Sequence, residues 1–242
     1  LEKEEEIYPG IELKFFNGHT QGQIIPHINY KGKTLVYMAD LLPSTVHIPI
    51  PCVPHEGFEL LLQLGRKKPE GCFVFTSNVD GQFQKAGFDS KKIVEAHGSI
   101  HHFQCSNDCV GDIWGAAGKS IPVDMKHFRA KAFPRCPHCG AIARPNILMF
   151  GDWHWNDSRY LEQSRRMIKW LDQITLSNAK LAVIEIGAGT ALSTVRKKSE
   201  TVADRFENTL IRINPCEDDI PDNVSGIGLA MGGVEGLRYI VG

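Results

Sequence analysis

Four cysteines set the first chemical constraint on this chain. Cys105-x3-Cys109 and Cys136-Pro137-His138-Cys139 form two close pairs separated by 26 residues. Four thiolates in two knuckles are a soft tetrahedral donor set, and a zinc site of that kind is closed and structural rather than catalytic. His138, inside the second knuckle, is read as a bystander. Cys52, Cys72 and Cys216 are read as core or surface thiols. Seven cysteines is an odd number, and four fall in metal-like pairs. That usage favours a reducing compartment over a disulfide framework, so a cytoplasmic protein is expected.

A second group of candidates follows the short apolar run Cys72–Phe75, which reads as a buried strand. Thr76, Ser77, Asn78 and Asp80 come next, all able to hydrogen-bond a ligand. In open α/β sheets a ligand usually sits just past the carboxyl end of such a strand. Asn78 and Asp80 would serve equally as turn caps. His97 lies seventeen residues past Asp80, in Glu95-Ala96-His97-Gly98. An imidazole suits general-base work when its pKa is near working pH, although a lone His is often structural. A second apolar run, Leu181–Ile186, ends in Gly187-Ala188-Gly189-Thr190, a weak phosphate-loop signal by itself.

The elements that must position these groups divide the chain. Leu1–Glu6 is a charged lead-in. Ile11–Phe16, Gln23–Tyr30 and Thr34–Tyr37 are strand-like, with Lys31-Gly32-Lys33 as a hairpin turn, which is antiparallel character. Pro49-Ile50-Pro51 is the seam. A helix is expected over about His55 to Leu64, stopped by Gly65. From Phe103 to Ile142 periodicity fades among glycines, as expected of a small module held by metal. Asn146 to Phe150 is extended and apolar. Asn156 or Asp157 can cap a helix carrying Tyr160, Leu161, Met167, Ile168, Leu171 and Ile174. A helix over about Arg196 to Phe206 leads to a third strand, Thr209–Ile213. A Gly-rich turn and a terminal helix follow. Strand, helix, strand in this order predicts an α/β fold with a Rossmann-like parallel sheet, a zinc-ribbon insert and a short antiparallel β segment in front.

Composition limits the function classes. The chain has 242 residues, with 27 basic against 28 acidic. A near-zero net charge gives no bulk electrostatic case for nucleic acid or a membrane surface. No apolar run reaches the length of a membrane span. No basic-then-apolar signal segment opens the chain.

From about Val53 to Gly242 the sequence resembles the sirtuins, NAD-dependent protein-lysine deacylases. The likeness rests on Thr76-Ser77-Asn78-Val79-Asp80, on Glu95-Ala96-His97-Gly98 and on the four cysteines. Here Ser77 replaces the family's glutamine, and Phe83 stands where a histidine is usual. The resemblance implies that His97 is the general base acting on a ribose hydroxyl. Thr76, Ser77, Asn78 and Asp80 would hold the nicotinamide and its ribose. Gly189, Thr190 and Ala191 resemble the Gly-Thr-Ser loop that meets the dinucleotide, and Asn214 matches an asparagine facing the adenosine ribose. Ile147, Leu148, Phe150, Gly151 and Asp152 resemble a segment that pairs with an acylated-lysine peptide and lines its tunnel. A plain buried strand is the other reading of that segment. Products would be nicotinamide and O-acyl-ADP-ribose, and Cys105, Cys109, Cys136 and Cys139 would hold zinc.

The family also carries an initial strand and Gly-Ala-Gly-x-Ser loop around the pyrophosphate, and nothing before Thr76 matches it. Residues 1–52 instead resemble a fragment of the metallo-β-lactamase fold, in Gly18-His19-Thr20-Gln21-Gly22 and Tyr37-Met38-Ala39-Asp40-Leu41-Leu42-Pro43. In that family the His and Asp bind metal, but its His-x-His-x-Asp-His cluster is absent here, and two ligands make no catalytic zinc site. The chain therefore reads as a fusion with slow turnover as written. The alternative function is a non-catalytic, zinc-stabilised module that binds acyl-peptide or NAD.

Overall fold

The computed structural model describes residues 5–8, 11–16, 23–30, 33–36, 55–117, 121–124, 129–206 and 209–242. In chain order the strands are β1 (Glu5–Tyr8), β2 (Ile11–Phe16), β3 (Gln23–Tyr30), β4 (Lys33–Val36), β5 (Val74–Thr76), β6 (Ile93–Glu95), β7 (Gly98–Cys105) and β8 (Ile113–Gly115). They continue with β9 (Val123–Asp124), β10 (Arg129–Ala130), β11 (Ala143–Ile147), β12 (Ala182–Ile186), β13 (Thr209–Ile213) and β14 (Gly226–Leu229). The helices are α1 (His55–Arg66), α2 (Gln82–Lys85), α3 (Ser158–Leu176), α4 (Thr194–Arg205) and α5 (Gly233–Val241). Two compact units result. One comprises Leu1–Pro51 with Gly118–Arg135, the other Cys52–Ala117 with Cys136–Gly242.

The first unit contains an antiparallel sheet in the order β1-β2-β3-β4 and the two-stranded pair β9-β10. Charged Glu5 and Glu6 belong to β1, because β2 offers backbone partners opposite Leu13 and Glu12. Pro26 lies in β3 opposite Leu13, and β4 covers β3 only from His27 to Tyr30. The imide thus falls beyond the end of β4, where its missing N–H breaks no ladder on that side. His19 and Asp40 lie outside the described residues.

The second unit carries two parallel sheets, β12-β13-β14 and β5-β6, and an antiparallel sheet β11-β7-β8. Buried Gln163, Met167, Leu171 and Ile174 recur at helical spacing along α3. Val94 of β6 meets Met167 and Leu171 there, with Phe75, Val202 and Phe206 around them. In the larger parallel sheet a second cluster packs Ala203, Leu210 and Val224 with Val183 and Ile220. Helix α1 lies against α5, and Arg238 pairs with Glu56 through two hydrogen bonds of 2.7 Å.

Three expectations are corrected. Gly65 does not end α1, which runs on to Arg66. A Cβ at Gly65 would lie 2.3 Å from the Cys72 sulfur, so glycine is required there by close packing. The extended segment after Ala143 ends at Ile147, not Phe150, and turns at once. Part of the Gly-rich stretch near the end is a third parallel strand, β14, in register with β13. A Cβ at Gly226 would lie 2.6 Å from the Leu210 oxygen, and one at Gly228 would lie 2.2 Å from the Asp218 oxygen. Close backbone approach, not turn geometry, selects these glycines.

A buried ion pair locks the larger parallel sheet. Arg212 of β13 and Glu185 of β12 are register partners with no exposed side-chain area. Their bonds are 2.5 Å and 3.0 Å, Glu200 adds one at 2.7 Å, and Ser199 donates to Glu185. Breaking a buried pair strands an uncompensated charge. Arg212→Ala is expected to cost about 3–5 kcal/mol in urea unfolding. A midpoint unchanged from wild type would show that Glu185 is adequately served by its other partners.

Candidate functional site

The strands β5 and β6 run parallel, so Thr76 and Glu95 finish side by side. The Ala96 amide donates to the Thr76 carbonyl at 2.8 Å, and the Ile100 amide donates to the Val79 carbonyl at 2.9 Å. The Thr76 hydroxyl accepts from the Asn78 amide at 3.0 Å. One Asp80 oxygen accepts from the Gln82 amide at 3.1 Å and starts α2. The other Asp80 oxygen is buried with no partner among the described residues. A buried, unpaired carboxylate oxygen is costly and stands ready to accept from a ligand.

His97 follows β6 and is half-buried. Its Nε2 lies 3.2 Å from the Thr194 hydroxyl at the start of α4. Burial pushes its pKa below the ordinary imidazole value. The carbonyl of His97 accepts from the Leu148 amide at 3.0 Å, and Gly98 pairs with Ile147. Gly98 has φ +81°, and a Cβ there would lie 2.0 Å from the Asn146 oxygen. Only glycine lets the chain leave His97 and pair with β11.

Glu95 anchors this arrangement from below. It is buried, and its carboxylate accepts from Gln84 at 3.0 Å, from Gln163 at 3.2 Å and from Arg159. Its backbone amide donates to Gln163 at 2.9 Å. One acid thereby ties β6 to α2, which follows Asp80, and to α3. Its sequence signal was an acid in an otherwise apolar strand. Thr194, whose hydroxyl faces His97, gave no signal.

The loop after β12 approaches from the neighbouring sheet. Gly187 has φ +67°, and its amide donates to the Ile213 carbonyl at 2.9 Å. Asn214 is buried and donates to the Ala188 carbonyl at 3.1 Å, while its own oxygen accepts from the Cys216 and Glu217 amides at 3.0 Å. The Glu217 carboxylate accepts from the Thr190 amide at 2.8 Å and the Thr190 hydroxyl at 2.7 Å. Those bonds hold its carboxyl below the ordinary glutamate value. A Cβ at Gly189 would lie 2.9 Å from Glu217 Oε2. Ala191 is exposed.

The segment after β11 divides. Ile147 and Leu148 lie beside Gly98 and His97, as above. Phe150 is 81% exposed and Trp153 94% exposed, and Gly151 turns the chain at φ +66°. Asp152 is committed to Arg144 and to the amides of Met149 and His154, chiefly Arg144 holding its carboxyl low. Backbone bonds thus set Thr76 beside Ala96 and His97 beside Leu148, with Thr194 facing His97 from the start of α4 and the Asp80 carbonyl 2.9 Å from His101 Nε2. Phe150 lies open, and the Asp152 carboxylate closes a turn. Ser77 is half-buried and Asn78 exposed.

Cys105, Cys109, Cys136 and Cys139 converge, with all four sulfurs within 4.8 Å of one another. Cys105 and Cys139 lie 3.6 Å apart, as do Cys109 and Cys136. The Cys109 and Asn107 amides, aimed at Cys105, hold its thiol down to about 6. Burial and the neighbouring sulfurs push Cys109 up to about 12. Crowded thiols that cannot all ionise alone are the donor set a zinc ion neutralises. The cluster fits a structural zinc.

The described residues combine parallel α/β sheets with an insert whose four cysteines are placed to hold a metal ion. The Sir2 family model matches residues 40–174. The chain belongs to the Sir2 family. It is 31% identical over 97 residues to NAD-dependent protein deacylase 2 of Pseudomonas aeruginosa, covering 40% of this chain and 34% of that protein. It is 29% identical over 172 residues to the NAD-dependent protein deacylase of Deinococcus radiodurans, covering 70% and 61%. The chain thus spans only part of the length of these relatives. A solved Sir2–p53 peptide–NAD+ complex superposes with TM-score 0.54 at 22% identity, over 78% of this chain and 69% of that one. A Sir2 structure bound to acetylated peptide gives the same TM-score over the same shares. The fold is shared with these structures.

Purified protein is expected to hold close to one zinc per chain. Replacing Cys136 and Cys139 by Ser should release the metal and lower the melting temperature, because metal binding here is folding energy. Full zinc retention in that double variant would remove the cluster from the metal site.

Proposed function

We propose that this chain is an NAD-dependent protein-lysine deacylase acting on an acylated-lysine protein or peptide, with release of nicotinamide and O-acyl-ADP-ribose. The observation that carries the proposal is that two adjacent parallel strands are followed, one by a half-buried His97, the other by a buried Asp80 oxygen with no partner among the described residues. The names of the relatives point the same way. The dinucleotide supplies a ribose carbon that becomes electrophilic as nicotinamide leaves. Asp80 accepts from the departing carboxamide through its free oxygen. Thr76, Ser77 and Asn78 line the same strand end toward the ribose. His97 takes a ribose hydroxyl proton at Nε2, the nitrogen that now faces Thr194. Its depressed pKa keeps it neutral, and so able to accept, at neutral pH. Gly189, Thr190, Ala191 and Asn214 meet the adenosine end. Ile147, Leu148, Phe150, Gly151 and Asp152 face the peptide. On this reading residues 53–242 are the sirtuin-like part and residues 1–52 a separate β segment. A zinc-thiolate site suits a reducing compartment, and we place the protein in the cytoplasm. No helix among the described residues is long and apolar enough to cross a membrane.

Nicotinamide release from NAD with an acetyl-lysine peptide tests the proposal. His97→Ala should lower that rate by roughly 100-fold or more without unfolding the chain. Wild-type activity should fall as pH drops, with a midpoint below the ordinary imidazole value of about 6.5, because protonation removes the base. An unaltered rate in the Ala variant would take His97 out of the chemistry.

A further inference from the structure

We infer that the facing edges of β5 and β12 are a docking site for one extended, apolar segment of a separate polypeptide, which turns an acidic side chain toward α4. The inference does not rest on the deacylase reading. Both strands have a strand partner on one side only: β5 pairs with β6, and β12 pairs with β13. Hydrogen bonds fix which backbone groups are left. The Gly187 amide donates to the Ile213 carbonyl of β13 at 2.9 Å, so Val183 and Glu185, at alternate positions before it, turn the same way. The amides and carbonyls of Ala182, Ile184 and Ile186 turn away and have no partner among the described residues. On β5 the Thr76 carbonyl accepts from the Ala96 amide, so Val74 and Thr76 face β6 and Phe75 faces away from it. The outer side of β6 is already served, since Gln163 takes the Glu95 amide there.

The two edges belong to one opening. His97, just after β6, meets Thr194 at the start of α4, so both sheets end on the same side. At the other end Phe73 and Leu181, which precede β5 and β12, pack on the same cluster of Val94, Met167 and Leu171. Val202 of α4 and Phe206 after it reach that cluster too. Between the two ends Lys198 of α4 lies over the Phe75 ring, its ammonium 5.7 Å from the ring centre. β5 and β12 therefore run in the same direction beneath one helical layer, and no described strand lies between them.

Exposure marks these edges as interior positions left open. Strands of a parallel sheet are normally covered and read as apolar runs. Their neighbours behave so: Leu210, Arg212 and Ile213 of β13 are buried, as are Ile93, Val94 and Glu95 of β6. β12 is as apolar, yet Ala182 and Ile186 are exposed and Val183 and Ile184 only half-buried, as are Val74 and Phe75 of β5. Free edges are usually guarded by a bulge, a proline or an outward lysine. β12 has none of these, and its one charge turns inward to Arg212. Lys198 sets the polarity of the partner. Its half-buried ammonium has no carboxylate partner among the described residues, and burial draws its pKa below the ordinary lysine value. A segment that bonds both edges passes beneath it, where an acidic side chain gains an ion pair and a basic one meets like charge.

The test is calorimetric titration of three synthetic peptides into the full chain, followed by amide hydrogen exchange of the complex. The first peptide is a Val/Ile strand of about five residues with one central glutamate and polar flanks. The second has lysine in place of the glutamate, and the third is the first with alternate amides N-methylated. The glutamate peptide should bind at least about tenfold more tightly than the lysine peptide, and N-methylation should abolish binding. Exchange should slow at Phe75, Ala182, Ile184 and Ile186 and stay unchanged at Val183 and Glu185, which already face β13. Lys198→Glu should reverse the preference between the first two peptides while zinc content and melting temperature stay near wild type. Absence of binding, equal binding of the two charged peptides, or protection on another surface overturns the inference. So does self-association of the chain that protects these same amides, which would make a second copy the occupant. Slow exchange at Ile184 and Ile186 before any peptide is added overturns it too, because the chain would then fill the opening itself.

Discussion

A guanidinium with no access to water governs the larger parallel sheet. Arg212 is charged in a place where charge is costly, and every neighbour is arranged to answer it. Glu185 meets it across the strand pair, Glu200 reaches down from α4, and the Asp219 carbonyl closes from the loop beyond β13. Satisfying one cation thereby fixes a strand, a helix and a loop. That loop carries Glu217 to Thr190, so the outer edge of the candidate site is set by a group that never touches it.

The same logic recurs at Glu95. A buried anion in β6 gathers Arg159, Gln163 and Gln84, and so ties the segment after Asp80 and the first half of α3 to the strand that precedes His97. The two polar hubs have opposite sign and sit under different sheets. Each uses glutamate–arginine pairing where an apolar core would give stability without direction. The cysteine cluster is a third device for the same purpose, in a module too rich in glycine to bury much apolar surface. In each case geometry near the site is specified by electrostatics that must be satisfied together.

What the sequence made legible follows from this division. Cys105, Cys109, Cys136 and Cys139 were readable because metal knuckles are local in spacing, and α3 was readable because its buried stripe repeats at helical period. Strand β12 announced itself as an apolar run before glycines. Thr76, Asp80 and His97 could be singled out by type, and the parallel pairing of β5 with β6 supplies their juxtaposition. The misses are all long-range. Gly65 looked like a helix stop because Cys72, its packing neighbour, is invisible to local pattern. Gly226 and Gly228 looked like a turn because their need for closeness comes from Leu210 and Asp218. Glu95 finds Gln163 68 residues later, a distance no window spans.

The docking of α1 on α5 sets a timetable. Glu56 and Arg238 are 182 residues apart. At a synthesis rate of about 5–20 residues per second, roughly ten to forty seconds pass between them on the ribosome. Throughout that interval α1 has been made and its docking partner has not. Part of α1 has a partner that is made much sooner. Phe58 does meet Phe83 edge to face at 4.9 Å, and Phe83 meets Phe88 at 5.2 Å. Phe88 lies 30 residues after Phe58, so this aromatic relay is complete long before α5 has been made.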